Sequence, residues 1–442
     1  MKKEVAYIHL LILHIIIGAG IYAVPSLSNM YGLAMLLGGI YVVVKSKNIN
    51  NEVLLVSAYL VGGEVLLRMA QSSLSYEFSK YGVILFMILG MYYSGFSKNS
   101  VPYWLFLLLL IPGIVIASFT LNLHSDYKNV LVFNISGPVC LGIASIYCYG
   151  RKIFLSTVND ILLMILLPVI STTTYLFLYT PDLKDVLKST GSNFETSGGF
   201  GPNQVSTILG VGIFVAFARI LFNSKSKLLV FINVFILLTI TYRGLITFSR
   251  GGVLTGFTMI PILLFFLYIN IKNEGRLKLS ILIGIMVVAL SFTWTYTSFQ
   301  TNGLIEKRYA NKDAMGRVKE DKFSGREEIW NSEINAFLEN PVFGIGVGNG
   351  VEFRENSMNG LSAVSHNEVS RMLAEHGAIG IIELLILFFT PMFLFLDNKQ
   401  HIYLFCFLIF WLLTINHAAM RIAAPAFVYS LALLKVRFDD NL

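Results

Sequence analysis

Residues 227–271 read KLLVFINVFILLTITYRGLITFSRGGVLTGFTMIPILLFFLYINI. Two apolar runs, near 227–243 and 250–271, flank a turn bracketed by Arg243 and Arg250. Each run has roughly the 17 to 22 residues needed to cross about 30 Å of hydrocarbon as a helix. The pair therefore reads as two membrane spans joined by a tight turn.

The same pattern extends in both directions. Further runs fall near 5–24, 28–45, 52–69, 80–96, 101–119, 129–149, 156–180, 203–222, 279–298, 376–396, 400–416 and 421–436. The sequence thus predicts an all-α polytopic membrane protein with about fourteen transmembrane helices. Composition agrees: of 442 residues, 55% are hydrophobic and 13% charged, against about 25% charged in ordinary soluble domains. The expected organisation is spans 1 to 11 over 1–298, one large loop over 299–375, and spans 12 to 14 over 376–442. The opening Met1-Lys2-Lys3-Glu4 precedes an apolar run with no small-residue cleavage site, so it reads as a permanent first helix.

The net charge of +7 resides in short connections rather than on one face, which argues against nucleic acid. With the N-terminus inside, Lys45, Lys47, Arg151, Lys152, Lys435 and Arg437 are among the basic residues that fall inward. That excess predicts cytoplasmic termini and an outward 299–375 loop. Cys140, Cys148 and Cys406 lie in apolar runs with no spacing for a disulfide framework or metal cluster.

Chemistry is expected in the long outward loop, which carries helix signals and aromatic residues rather than the composition of a disordered segment. Ser324-Gly325-Arg326-Glu327 has capping-box spacing, placing Arg326 in a first helical turn. Ile329, Trp330, Ile334, Phe337 and Leu338 would form that helix's apolar side, on the membrane face or under the loop. A second box, Ser365-His366-Asn367-Glu368, predicts His366 as the first residue of its helix. The helix dipole would keep that imidazole neutral, with Glu368 acting in the opposite direction. Arginines near membrane depth mark a pathway, a partner or an anion; reaching for headgroups suits Arg243 better than Arg250. Glu64 and Arg68, four residues apart, read as a structural ion pair.

The stretch Gly344-Ile345-Gly346-Val347-Gly348-Asn349-Gly350 follows no βαβ unit, so it reads as a flexible turn letting backbone approach a ligand, not as a nucleotide loop. The outward loops show no His/Cys/Asp cluster with metal spacing, and Pro25–Met30 holds no carboxylate. No metal and no cofactor are therefore expected.

Three segments together resemble the O-antigen ligase and O-antigen polymerase superfamily of bacterial envelope glycosyltransferases. They are Thr247-Phe248-Ser249-Arg250-Gly251-Gly252, the stretch from Gly325-Arg326 to Gly344-Ile345-Gly346, and Ser365-His366-Asn367-Glu368 through His376-Gly377-Ala378-Ile379-Gly380. Gly201-Pro202-Asn203 is similar to the family's Asn-Pro-Asn turn with Gly in place of the first Asn. The resemblance implies a GT-C-like helical fold in the bacterial inner membrane, with its site in a periplasmic loop. It implies transfer of a glycan from undecaprenyl pyrophosphate to an acceptor, either a lipid A core sugar (ligase) or a second lipid-linked glycan (polymerase). The fuller match of Ser365–Gly380 favours the ligase. In this reading Arg250 and Arg326 bind the pyrophosphate bidentately, and His366 acts on the acceptor hydroxyl. Asn203, Arg243, Asn367, Glu368 and Arg371 complete the expected site as substrate-binding residues. Membrane lipids are expected partners. A lipid-linked oligosaccharide flippase or transporter is the reading from another class; the single capped outward loop and the lack of repeat-related mid-membrane charges stand against it.

Overall fold

The computed structural model describes residues 2–72, 74–120, 127–180, 182–183, 186–270, 273–319, 326–357 and 363–438. Helices dominate, and the strands among the described residues are Lys152–Phe154 and Lys435–Arg437, which pair in parallel with Lys152 opposite Lys435. Ten described helices are long and apolar enough to cross a membrane.

The other four expected spans are helical too, two of them near the expected length and two much shorter. Runs 52–69 and 80–96 become helices Glu52–Met69 and Phe78–Ser94, of 18 and 17 residues. Runs 400–416 and 421–436 become Leu404–Ile415 and Ala423–Leu431, of 12 and 9 residues. At 1.5 Å per residue, a 12-residue helix covers only about 18 Å. Every residue of Ala423–Leu431 is buried in the protein. An apolar run reads the same in sequence whether protein or lipid covers it.

The chain forms two compact units, each assembled from separate segments. The first comprises Met1–Val42, Leu54–Tyr76 and Ser156–Glu320. Its helices Pro202–Phe222 and Arg250–Asn270 approach so closely that a Cβ added to Gly210 would lie 2.1 Å from the Gly252 carbonyl oxygen, and one on Gly256 2.3 Å from that of Gly210. Small residues spaced by four let two helical backbones meet in this way. The contact fixes where Arg250 begins its helix. Glu64 and Arg68 form the expected ion pair, and the Arg68 guanidinium also lies 3.8 Å above the Tyr76 ring.

The second unit comprises Val43–Val53, Glu77–Leu155 and Asp321–Leu442. Its core holds Trp411 beside Tyr429, whose hydroxyl is 2.7 Å from that of Tyr103 and donates to the Leu387 carbonyl at 2.6 Å. Helix Arg326–Glu339 packs on helix Glu368–His376. The face it buries is Ile329, Ser332, Glu333 and Ala336, whereas Trp330 and Leu338 are exposed. Polar partners on the neighbouring helix line the buried face, and Trp330 and Leu338 of the expected apolar side face outward.

The glycine-rich stretch is a fixed strap rather than a flexible turn, and two of its residues, Gly348 and Gly350, line a cavity of this unit. Gly344, Gly346 and Gly348 all have positive φ, which glycine adopts without steric cost, and the stretch is bonded on both sides. The Ile345 and Gly346 N–H groups donate to the carbonyls of Ala374 and Glu375, Val347 N–H to that of Gly113, and Gly348 N–H to the Glu375 carboxylate at 2.9 Å. A Cβ on Gly346 would meet the Ala117 nitrogen at 2.7 Å. The glycines serve close packing of a strap.

Candidate active site

In the second unit, a cavity of about 450 Å³ is lined by Arg326, Trp330, Glu333, His366, Asn367 and Asn416 among others. Arg326 is the first described residue of its helix; Ser324 and Gly325 of the expected capping box lie outside the described residues. Trp330 and Glu333 follow one and two turns later, on the same side as Arg326.

The second capping box is shifted. Asn367, not Ser365, is the N-cap, its side chain accepting from the N–H groups of Val369 and Ser370. Asparagine is among the strongest N-caps and wins here. His366 therefore precedes the helix instead of opening it, and its neutrality has a different origin from the dipole. Burial pushes its pKa down to about 4, and the positive charges of Arg421 and Arg326 and the nearby His417 act in the same direction. Its Nδ1 is buried and makes no hydrogen bond within the described residues, while its backbone carbonyl accepts the Ala419 N–H at 3.1 Å. Near neutral pH this ring is unprotonated and able to take a proton.

Glu333 was not legible as a site residue. It is buried, accepts the Ser370 hydroxyl at 2.5 Å and pairs with Arg354 at 3.4 Å. Burial raises its pKa, against the lowering effects of Ser370, Ser365 and the two arginines Arg354 and Arg371. Glu333 and Ser365 also line a second cavity, of about 720 Å³, with Asn134, Arg354, Arg371 and Glu375. The only sequence signal for Glu333 was its spacing of seven from Arg326. Arg354 and Arg421 carried no local signal at all.

The expected substrate-binding residues of this unit have protein partners. Arg371 pairs with Glu368, donates to Asn134 Oδ1 at 2.6 Å and lies 3.6 Å from the Glu375 carboxylate. Glu368 also accepts the Met420 N–H at 3.4 Å. These groups hold the segment beneath His366, and Asn367 starts its helix.

The other expected residues belong to the first unit. Asn203 sits at the start of helix Pro202–Phe222, and its Oδ1 accepts the Ser249 hydroxyl at 2.8 Å. Arg243 is 1% exposed, donates to the Thr196 carbonyl at 3.5 Å and lies 5.2 Å from the Phe177 ring centre. The reach to headgroups expected of Arg243 does not occur, because its side chain is enclosed. Arg250 is half-buried and donates to the Arg308 carbonyl at 3.3 Å. Between the two arginines, Phe248 holds a φ of +56° while buried, its carbonyl accepting from Arg308 Nε at 2.9 Å. Such a conformation is costly for a bulky residue and persists only where its surroundings enforce it. Among the described residues neither Arg243 nor Arg250 pairs with a carboxylate. A further cavity of about 450 Å³ in this unit is lined by Leu245, Phe257, Leu290, Trp294 and Tyr309 among others. The charges of Arg250 and Arg308 both act on Tyr309.

Among the described residues no three His, Cys, Asp or Glu side chains are grouped to hold a metal ion.

Residues 235–385 match the family model described as O-antigen ligase. Over 165 residues the chain is 28% identical to a Haemophilus influenzae protein described as uncharacterized, a match covering 34% of this chain and 39% of that relative. The family segment contains Arg243, Arg250, Arg326 and His366 together with the helices that present them. Over that segment, the chain is similar to the O-antigen ligase and polymerase superfamily.

Proposed function

We propose that the protein is an inner-membrane glycosyltransferase of the ligase type, moving a glycan en bloc from undecaprenyl pyrophosphate to a lipid A core sugar on the periplasmic side. The observation that carries this reading is the cavity wall formed by Arg326 and a neutral His366, inside the family segment. In the proposed step, His366 takes the proton from the acceptor hydroxyl as that oxygen bonds the anomeric carbon of the donor. The anomeric C–O bond breaks and its electron pair leaves with the pyrophosphate, whose growing charge Arg326 meets with two N–H donors. Glu333 and Ser370 hold the wall between them. The buried pair Glu368–Arg371 keeps the His366 segment in place, and Asn367 caps the helix that follows it.

For the first unit we propose that Arg250 binds a phosphate of the lipid donor, with Arg243 and Asn203 holding the turn that presents it. The apolar cavity ending at Tyr309 suits an isoprenoid chain whose phosphate end faces a cation. The experiment is reconstitution of the purified protein with polyprenyl-pyrophosphate glycan and lipid A core, without nucleotide. Glycan joined to the core supports the reading. Joining only to a second lipid-linked glycan replaces ligase by polymerase, and passage across the bilayer without bond formation rejects the enzyme.

A further inference from the structure

A third cavity of the second unit, of about 640 Å³, lies on loops that the catalytic proposal does not use. Its wall includes Lys47, Asn51, Ser94, Ser97, Arg151 and Lys152. Arg151 is half-buried and fixed: Nε donates to the Tyr147 carbonyl at 3.1 Å, Nη1 to Asn51 Oδ1 at 3.4 Å, and Nη2 to the Gly95 carbonyl at 2.6 Å. Its guanidinium lies 3.8 Å above the Tyr147 ring. All of these partners are neutral, so the charge is positioned but not compensated, and a guanidinium has five N–H donors to give.

The neighbouring turn is equally constrained. Lys47, Asn48 and Asn51, none of them glycine, have φ of 52°, 55° and 59°. Asn48 is buried, donates to Ser94 Oγ and the Tyr147 hydroxyl at 2.9 Å each, and accepts the Val53 N–H. A turn over-determined in this way, holding a lysine at a cavity wall, is the kind of local strain associated with ligand sites. The strand pair places Lys435 opposite Lys152, a further cation next to one that lines the cavity. Among the described residues no carboxylate lines it; Glu52, nearby, accepts instead from the N–H and side-chain amide of Asn50.

We propose that this cavity binds a phosphate-bearing anion, supplied by the headgroup of an anionic phospholipid. Here the arginine is pinned by two loops, through Asn51 and Gly95, and by the last turn of helix Tyr127–Cys148, through Tyr147. The lipid source is favoured by the exposed apolar residues in its wall, Ile49 and Phe96, since aromatic side chains collect at headgroup level. Clustered basic residues beside them recognise anionic lipid.

The test uses the purified full-length protein in uncharged detergent, titrated by native mass spectrometry with phosphatidylglycerol, phosphatidylcholine or inorganic phosphate. Wild type should retain phosphatidylglycerol with an affinity about tenfold above phosphatidylcholine, a preference arising from basic groups at the headgroup. The exposed double variant Lys47→Gln/Lys152→Gln should lose that preference while keeping the wild-type melting temperature. Arg151→Lys, which keeps the charge but not the fork, should weaken it as well. Saturable binding of inorganic phosphate, lost in the same variants and without lipid preference, would support the phosphate site but assign it a soluble source. Equal retention of both lipids without phosphate binding, or a preference unchanged in the variants, overturns the proposal.

Discussion

His366 and Arg326 share one cavity wall, but the chemistry assigned to them separates in measurement. Arg326→Lys should lose most activity and donor affinity together, because an ammonium cannot reproduce a two-toothed contact with phosphate. His366→Ala should leave donor binding nearly intact and lower turnover by about 10²- to 10⁴-fold, the usual range for a lost general base. A His366→Ala variant that binds donor as poorly as Arg326→Lys, or transfers at wild-type rate, refutes this division. The pH profile offers a second check. With its pKa near 4 in the free protein, held down by burial and two arginines, His366 is unprotonated well below pH 6. The acid limb of kcat/KM, which reports the free enzyme, should therefore lie near pH 4. Donor pyrophosphate brings negative charge to the ring and favours its protonated form, so the acid limb of kcat should lie at higher pH. Coincident limbs at pH 6.5 would place the base elsewhere. Glu333 is tested through stability: Glu333→Leu leaves Arg354, 1% exposed, without its carboxylate, and should cost about 3–5 kcal/mol in unfolding. Arg326 and His366 stood out in the sequence because both sit beside local helix-start signals. Glu333, Arg354 and Arg421 acquire their meaning from contacts between distant segments, which no local pattern encodes.

Two elements present these side chains. Asn367 starts the helix beneath His366 by satisfying two N–H groups, so Asn367→Ala should cost about 1 kcal/mol, read as a lower melting temperature. It should also loosen His366 and reduce turnover more than donor affinity; unchanged turnover would show that the cap does not position the ring. The glycine strap 344–348 is the second element. Gly346 combines a φ of +91° with backbone of Ala117 at 2.7 Å from any added Cβ, so Gly346→Val meets both a forbidden conformation and a clash. Its expected result is loss of folded protein, whereas Asn356→Ala, on an exposed helical residue, should change stability by less than about 0.5 kcal/mol. The sequence showed that helices begin near 326 and 366, but not which residue caps the second or which face the first buries. Both depend on side chains from other elements: Ser370 and Arg354 draw Glu333 inward and leave Trp330 exposed. Likewise, the strap read as flexible because glycine spacing alone does not disclose the backbone packed against it.

At the scale of the whole chain, the helical membrane class was legible because period and length of apolar runs are set by the bilayer. The number of crossings was not, since Leu404–Ile415 and Ala423–Leu431 are as apolar as spans yet cover 12 and 9 residues. Orientation rests on charge. The short connections expected inside carry Lys45, Lys47, Arg151, Lys152, Lys435 and Arg437, the asymmetry that retains loops in the cytoplasm. On the same count the 299–375 loop, and with it Arg326 and His366, is expected outside. Asn356 is an exposed residue of that loop, on helix Gly350–Ser357. The native cysteines Cys140, Cys148 and Cys406 are all buried, so they give little background to a membrane-impermeant thiol reagent. The Asn356→Cys variant should therefore react from the periplasmic side with the inner membrane intact, while Lys47→Cys, at an exposed position, should react only after permeabilisation. The opposite pattern, with Asn356→Cys protected until the membrane is opened and Lys47→Cys labelled at once, would invert the protein. It would put His366 on the wrong side for a periplasmic acceptor, and the proposed transfer could not stand.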